Sequence, residues 1–449
     1  MSKDLVERYG INVPRYTSYP TAPHFHDGVQ EATYRDWLAA LEPTVPLSLY
    51  FHVPFCAEMC SFCGCHTKIV NRYEPVARYL ETLEAEVDLV ASALPGRFDA
   101  AFVHWGGGSP TMLRGDDWRR IHDHFHRAFN IGGDAEMAVE LDPRTATQGY
   151  IRALAGAGVN RVSLGVQDFN DDVQVAIRRV QPFAMTAQVV AWLRDEGIDA
   201  INFDLMYGLP HQTVDIVLAS IDQAISLKPS RIALFGYAHV PWMKSHQKLI
   251  DEAALPDTMA RFAQAEAAAG ALEAAGYRRI GLDHFARADD TLVRAQDAGL
   301  LRRNFQGYTA DEASTLLGFG TSAIGALPQG YVQNDPDMRP YAAAIAAGRL
   351  PTRRGVALSD DDRLRRDVIE RLMCDMTVDL DAVLRGHGMP LDTLDADMDG
   401  LEPLVSDGIV QIAGRRIDIT PTGRPFARIA AATFDAYLAS SRGRHAIAV

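Results

Sequence analysis

At 449 residues the chain is longer than a single hydrophobic core usually supports, so two or more domains are expected. Its 47% apolar and 23% charged residues are ordinary globular composition, no apolar run of about eighteen residues offers a membrane span, and the start after Met1 has no apolar stretch of the secretory kind. A formal net charge of −14 argues against general affinity for nucleic acid, and any anionic ligand must then be met by local arginine, lysine or histidine. Five cysteines, four of them clustered, fit a reducing compartment, and the cytoplasm is the expected location.

Residues 1–45 precede any regular pattern, and Pro14 and Pro20 predict an extended segment laid across another part of the molecule. Leu47–Val53 predicts a strand running directly into the cysteine cluster. Val76, Leu80, Leu83, Val87, Val90 and Leu94 then recur at helical steps. Further strands are expected at Ala101–Trp105, Ala135–Leu141, Arg161–Val166, Ile201–Tyr207 and Arg231–Tyr237, with helices between them such as Thr213–Leu227. Six β–α units imply an α/β fold with a parallel sheet, read as an incomplete (βα)6 barrel with a lateral opening. Asp257–Gly276 reads as a helix, and residues 277–333, rich in aromatics and glycine, read as loops over the site. After Ser359 come helices and a hairpin within residues 407–420, a winged-helix-like pattern. From Asp360 onward eleven Lys/Arg face sixteen Asp/Glu, which disfavours DNA binding and leaves a lid or packing role. The expected domains are residues 1–45, 46–350 and 351–449.

The most informative residues are Cys56, Cys60, Cys63 and Cys65, four of the five cysteines within ten positions. Thiolates are soft ligands for zinc or iron–sulfur clusters. Structural zinc sites pair two short knuckles across a long spacer, and the remaining cysteine, Cys374, cannot form a second knuckle. Three sulfurs on one loop can hold three corners of a cubane and leave one iron open. Gly106, Gly107 and Gly108 after a strand let the backbone approach a ligand without Cβ atoms in the way. Glu140 and Asp204 sit at the ends of apolar strands, where a carboxylate must be paired or bind a ligand. Gln167 and Arg179 could reach a carboxylate, although Arg179 viewed alone reads as a surface residue. His52 and His239 are possible anion partners, with a structural role the default for each.

The Cys-x3-Cys-x2-Cys spacing, with Phe62 closing the second spacer, resembles the radical S-adenosylmethionine superfamily. Longer stretches resemble the oxygen-independent coproporphyrinogen III oxidases of haem biosynthesis: Pro14-Arg15-Tyr16-Thr17-Ser18-Tyr19-Pro20, the run from Tyr50 to Cys56, His104 to Thr111, Glu140 to Arg144, Gly165 to Phe169, Tyr207 to Pro210, Tyr237 to His239 and Asn304 to Thr309. The resemblance covers essentially the whole chain.

It implies a [4Fe–4S] cluster on Cys56, Cys60 and Cys63, with Cys65 retained but not ligating, and two S-adenosylmethionine molecules in one site. Tyr50, Gly107, Glu140 and Ile324 match positions around the cluster-bound molecule. Phe62, Gly108, Ser109, Gln167, Arg179, Asp204 and Ala238 match those around the second, and Phe305 and Gln306 lie in a motif near it. Two departures stand out, Ser109 for the usual threonine and Gly236 for a common asparagine, and each puts only a side-chain contact in doubt. The implied reaction is radical decarboxylation of two propionates of coproporphyrinogen III to vinyl groups, giving protoporphyrinogen IX, with no side-chain nucleophile. The implied partners are the substrate and a low-potential electron donor such as flavodoxin or ferredoxin, with no nucleic acid and no membrane span, and a monomer is expected. The rival readings are a radical-family haem chaperone, which usually lacks the Pro14–Pro20 segment and has an aromatic at the position of Cys65, and another tetrapyrrole-acting radical enzyme.

Overall fold

Runs of alternating or continuous apolar residues, too short for helices and broken by polar turns, nucleate strands that only a helix-covered parallel sheet can bury on both faces. In the computed structural model, which describes residues 3–438, six such strands follow one another in parallel. They are β1 (Leu47–Val53), β2 (Asp99–Gly107), β3 (Asn130–Leu141), β4 (Arg161–Gln167), β5 (Ala200–Tyr207) and β6 (Arg231–Gly236). A helical crossover separates each pair, the first being Glu74–Ala93, whose Val76, Leu80, Leu83, Val87 and Val90 are buried as the periodicity requires. Thr213 caps the last crossover by accepting the Ile216 N–H.

The sheet does not stop at six strands. Beyond β6 lie β7 (Arg278–Ile280) and β8 (His284–Ala286), both antiparallel. On the other side β9 (Leu316–Phe319) pairs parallel with β1, followed by antiparallel β10 (Ile324–Leu327), β11 (Gly330–Asn334) and β12 (Thr352–Ala357). The result is one mixed sheet of twelve strands in the order β12-β11-β10-β9-β1-β2-β3-β4-β5-β6-β8-β7. Much of the region expected to be loops, residues 277–333, is therefore strand. Within its strands glycine marks close backbone approach: a Cβ on Gly318 would lie 2.6 Å from the Ile324 carbonyl oxygen.

The N-terminal segment carries more regular structure than expected, although its Pro14–Pro20 run contains no helix or strand and is laid across the C-terminal region. It contains α1 (Lys3–Tyr9) and α2 (Glu31–Ala39). Tyr34 and Leu38 of α2 join the sheet core, whereas Val6, Tyr9, Val13, Tyr16 and Tyr19 are buried with Leu364, Val368 and Leu372 of the C-terminal region. That region holds the helix Asp360–Cys374, started by a Ser359/Asp362 capping box, and a three-stranded antiparallel sheet. The expected hairpin is present as Val410–Ala413 and Arg416–Ile419. Residues 439–449 of the expected third domain, and residues 1–2 of the first, lie outside the described residues.

Glu86, on the first crossover helix, ties that helix to the strand edge. Its carboxylate accepts from the Gly320 N–H (2.7 Å), the Asn334 amide (2.6 Å) and the Tyr341 hydroxyl (2.6 Å). Burial nonetheless pushes its carboxyl up to about 7 from 4.5. The folded chain thus binds this proton more tightly than the unfolded one, so the contribution is fully present below pH 4.5 and is lost as pH rises towards 7, by up to about 3 kcal/mol. Glu86→Gln should flatten that slope in thermal unfolding measured from pH 5 to 8. An unchanged pH profile would count against it.

Candidate active site

β1 delivers the chain into the cysteine loop, and a two-residue parallel pairing of Phe55–Cys56 with Lys68–Ile69 closes the loop behind it. Each of the three sulfurs expected to bind metal receives a donor. The Thr67 hydroxyl donates to Cys56 Sγ at 3.2 Å, Arg144 and Arg179 reach Cys60 Sγ at 3.6 and 3.7 Å, and the Cys65 amide donates to Cys63 Sγ at 3.3 Å. Burial raises the Cys56 thiol to about 11, while hydrogen bonding from Cys65 holds Cys63 down to about 6. The loop backbone is clamped from the far side of the sheet. His246, Gln247 and Lys244, after β6, donate to the carbonyls of Cys63, Phe62 and Cys65 at 2.6, 2.8 and 2.9 Å.

All five cysteines are unpaired, and among the described residues no three Cys, His, Asp or Glu side chains close round a single ion. A donor set of three soft thiols on one loop, each sulfur reached by a hydrogen-bond donor, fits a [4Fe–4S] cluster, whose ligands are spread over separate irons.

The glycine run ends β2 beside this loop, with His52 opposite Gly106 and Val53 opposite Gly107. Gly107 has φ +117°, and a Cβ there would lie 2.6 Å from the His52 ring, so both backbone angle and space demand glycine. The Gly107 N–H donates to Glu140 Oε2 at 3.2 Å, and His104 Nε2 donates to Glu140 Oε1 at 3.2 Å. His52 is held neutral: burial pulls its imidazole down to about 4, Nε2 donates to the His66 carbonyl, and Nδ1 accepts from the Tyr50 hydroxyl at 3.0 Å. It therefore serves as a structural pillar and not as an anion partner. His239 likewise bridges Tyr237 and Glu252, at 2.9 and 3.0 Å.

Across the next two strands Glu140 faces Ser163, and Gly165 faces Asp204. Asp204 accepts from Ser163 Oγ and Asn202 Nδ2 at 2.9 and 2.8 Å. Burial, reinforced by the Glu140 charge, lifts its carboxyl to about 6. Glu140, Asp204 and Gln306 line one cavity of about 210 Å³ against the sheet. Arg179 is not a surface residue. It is 7% exposed, donates to the Gly165 carbonyl at 2.6 Å and pairs with Asp142 at 3.2 Å, and its Nε has no partner among the described residues. Burial would raise the Asp142 carboxyl, but Arg179 and Arg144 outweigh it and hold it below the usual range.

Not every expected residue converges on that cavity. Gln167 ends β4 with φ +68°, and Ser109, buried beside Gly108, bonds Thr111. Phe62 packs in a separate apolar cluster with Ile177 and Ile250. Phe305 and Ile324 pack in another with Phe25 and Tyr331. Ala238 lines a larger, second cavity. Sequence reasoning missed the roles of His104, Asp142 and Arg144, although they lie in the runs His104–Thr111 and Glu140–Arg144 that carry the family resemblance. It also missed the 244–247 clamp, which carries no local signal because its partners are about 180 positions away in the chain.

With this geometry in view, the comparisons are specific. The Radical SAM superfamily matches residues 50–224, and the HemN C-terminal domain matches residues 358–426. The chain is 49% identical, over the full length of both, to the oxygen-independent coproporphyrinogen III oxidase of Bradyrhizobium diazoefficiens. It belongs to the oxygen-independent coproporphyrinogen III oxidases. The Paracoccus denitrificans oxidase of this family is 44% identical over 98% of each chain. The solved structure of Escherichia coli coproporphyrinogen III oxidase (HemN), described as a radical SAM enzyme, superposes with a TM-score of 0.91 at 35% identity, covering 97% of this chain and 99% of that one. Radical SAM membership makes a [4Fe–4S] cluster and S-adenosylmethionine its cofactors.

Proposed function

We propose that this chain carries out the oxidative decarboxylation of two propionates of coproporphyrinogen III to vinyl groups, giving protoporphyrinogen IX without oxygen. The observation that carries the reading is the cysteine loop set against the Gly107–Glu140 contact in a chain 49% identical to such an oxidase from end to end. In this reading Cys56, Cys60 and Cys63 hold the cluster. Tyr50, Gly107, Glu140 and Ile324 surround the S-adenosylmethionine on its open iron. Phe62, Gly108, Ser109, Gln167, Arg179, Asp204 and Ala238, with Phe305 and Gln306 beside them, surround a second molecule.

The bound cluster and its S-adenosylmethionine supply the one-electron chemistry that removes hydrogen from a propionate β-carbon. The chain's own residues position and enclose. Glu140, already accepting from Gly107 and His104, offers a fixed carboxylate to an amino group, and Asp204, lifted towards neutrality by burial, suits hydroxyl groups. No side chain need act as a nucleophile, and water exclusion protects the reactive species.

The finer architecture belongs to the same reading: an incomplete (βα)6 barrel in the region expected at residues 46–350, extended by Thr352–Ala357, which pairs into the sheet, a winged-helix-like unit after that strand, and an N-terminal segment whose side chains divide between the two cores. The chain acts as a cytoplasmic monomer that takes electrons from a flavodoxin or ferredoxin. No helix among the described residues is long and apolar enough to cross a membrane.

The direct test is an anaerobic assay of reduced, reconstituted protein with coproporphyrinogen III and S-adenosylmethionine, read by mass spectrometry. Loss of two CO2 per tetrapyrrole is expected, and an intact tetracarboxylate after cofactor cleavage would overturn the reading. Equilibrium dialysis should find two S-adenosylmethionine per chain. Arg179→Ala should weaken the second by roughly ten- to hundredfold, the loss of one charge-assisted contact. Saturation of the unaltered chain at one molecule would refute the two-molecule site.

A further inference from the structure

The larger cavity, of about 520 Å³, is built by three parts of the chain that lie far apart in sequence. The N-terminal segment contributes Arg15, the sheet domain contributes Arg261, Arg279 and Arg303, and the C-terminal region contributes Arg428. Five guanidinium groups on one cavity are a sharp local exception in a chain of net charge −14. Three carboxylates line the cavity with them, and each is already engaged. Asp283 takes His284 at 2.7 Å and Arg303 at 3.8 Å, Glu266 takes Arg279 at 3.6 Å, and Asp257 caps a helix by accepting the Ala260 N–H at 2.8 Å.

Arg15 and Arg261 have no carboxylate partner among the described residues. Arg15 donates to the Gly236 carbonyl at 3.5 Å and feels the charge of Asp283 without forming an ion pair with it, and Arg261 lies 5.8 Å above the Tyr207 ring. Arg279 Nε is buried with no acceptor among the described residues. The cations also repel one another. Burial first, and then Arg15 and Arg303, pull the Arg428 guanidinium down to about 10, and burial with Arg15 lowers Arg261. A cavity that gathers mutually repelling cations and leaves donors unsatisfied is completed by an anion with several acceptor oxygens. Arginine's planar fork favours a carboxylate or a phosphate.

The cavity adjoins the site already described. Phe235 lines both cavities, and Ala238, matched to the second S-adenosylmethionine, lies on the wall of this one. We propose that this composite cavity anchors the tetrapyrrole substrate by those propionate carboxylates that are not reacting, through Arg15, Arg261 and Arg428. The inference rests on the functional reading above and adds the groups that recognise the substrate. Because Arg15 and Arg428 come from opposite ends of the chain, the anchor exists only when both terminal regions are docked on the sheet.

The test uses full-length, cluster-loaded protein held anaerobically and titrated, by fluorescence, with coproporphyrin III and with its tetramethyl ester. The ester keeps the ring and removes the charges. Arg15→Gln and Arg261→Gln should each weaken binding of the tetra-acid by about ten- to hundredfold and leave the ester unchanged. Arg261→Lys should recover part of the loss, and Arg278→Gln, which removes a surface pair with Asp297, should change nothing. Arg15 is exposed, so its variant keeps the fold even if Arg261→Gln does not. The proposal is overturned if tetra-acid affinity stays within twofold of the unaltered chain in the Arg15 variant and in every folded Arg261 variant. It is equally overturned if the ester weakens in parallel, or if only S-adenosylmethionine binding falls. Should the unaltered chain form vinyl groups while these variants bind the tetra-acid normally, the cavity assignment fails and the functional reading stands. Arginine-dependent binding without any vinyl product would instead sink the functional reading and leave the carboxylate site.

Discussion

Alanine at Cys56, Cys60 or Cys63 should leave the anaerobically purified chain without its cluster, whereas Cys65→Ala should retain it. The three ligating sulfurs each receive a donor, from Thr67, from Arg144 with Arg179, and from the Cys65 amide. Cys65 is the exposed cysteine of the four and is itself one of those donors, through its backbone. A cubane missing one of three protein ligands has two open irons and is readily lost, so iron should fall from about four per chain to well under one. In Cys65→Ala the amide contact to Cys63 survives and only the thiol's hydrogen bond goes. The iron content should hold, with a reduction potential shifted to more negative values because a donor to sulfur has been removed. Iron and sulfide analysis with electron paramagnetic resonance decides the matter. Stoichiometric zinc in the unaltered chain, or cluster loss in Cys65→Ala, would refute the ligand set.

Removing residues 1–20 should unfold much of the C-terminal region rather than simply uncover the sheet. Val6, Tyr9, Val13, Tyr16 and Tyr19 are buried in its core, Tyr9 donates to Asp407 at 2.6 Å, and Tyr16 donates to Asp435 at 3.0 Å. Each buried apolar side chain is worth about 1.5–3 kcal/mol, an upper estimate because the unfolded chain is already partly collapsed. Five of them rival the whole stability of an ordinary domain, about 5–15 kcal/mol. The truncated chain should therefore show early proteolysis within residues 358–438 and a lost or strongly lowered second thermal transition, while the cysteine loop still binds its cluster. Tyr9→Ala is the gentler version, costing about 3–5 kcal/mol by the usual price of deleting a buried aromatic. A truncated chain whose C-terminal transition moves by only a degree or two would contradict this docking.

Local chemistry accounts for what was legible early. β1 falls at the predicted residues Leu47–Val53, and the other five parallel strands overlap their expected positions, because a strand buried on both faces leaves a continuous apolar run bounded by polar turns. The cysteine loop was legible because ligand spacing is a property of contiguous chain. Asp142 and Arg144 lie in the run Glu140–Arg144, yet nothing local says that Arg144 turns towards Cys60 while also holding Asp142.

The sequence by itself determined where the six parallel strands fall along the chain and which thiols share one loop, since each depends on residues within a few positions of one another. Only the tertiary structure decided that Arg179 is buried against Asp142 and Cys60, and that residues 316–334 extend the sheet instead of looping over it. It alone also decided that five arginines from both ends and the middle of the chain face one cavity. Burial and charge pairing join groups hundreds of positions apart, and a side chain's environment comes from whatever long-range packing places beside it.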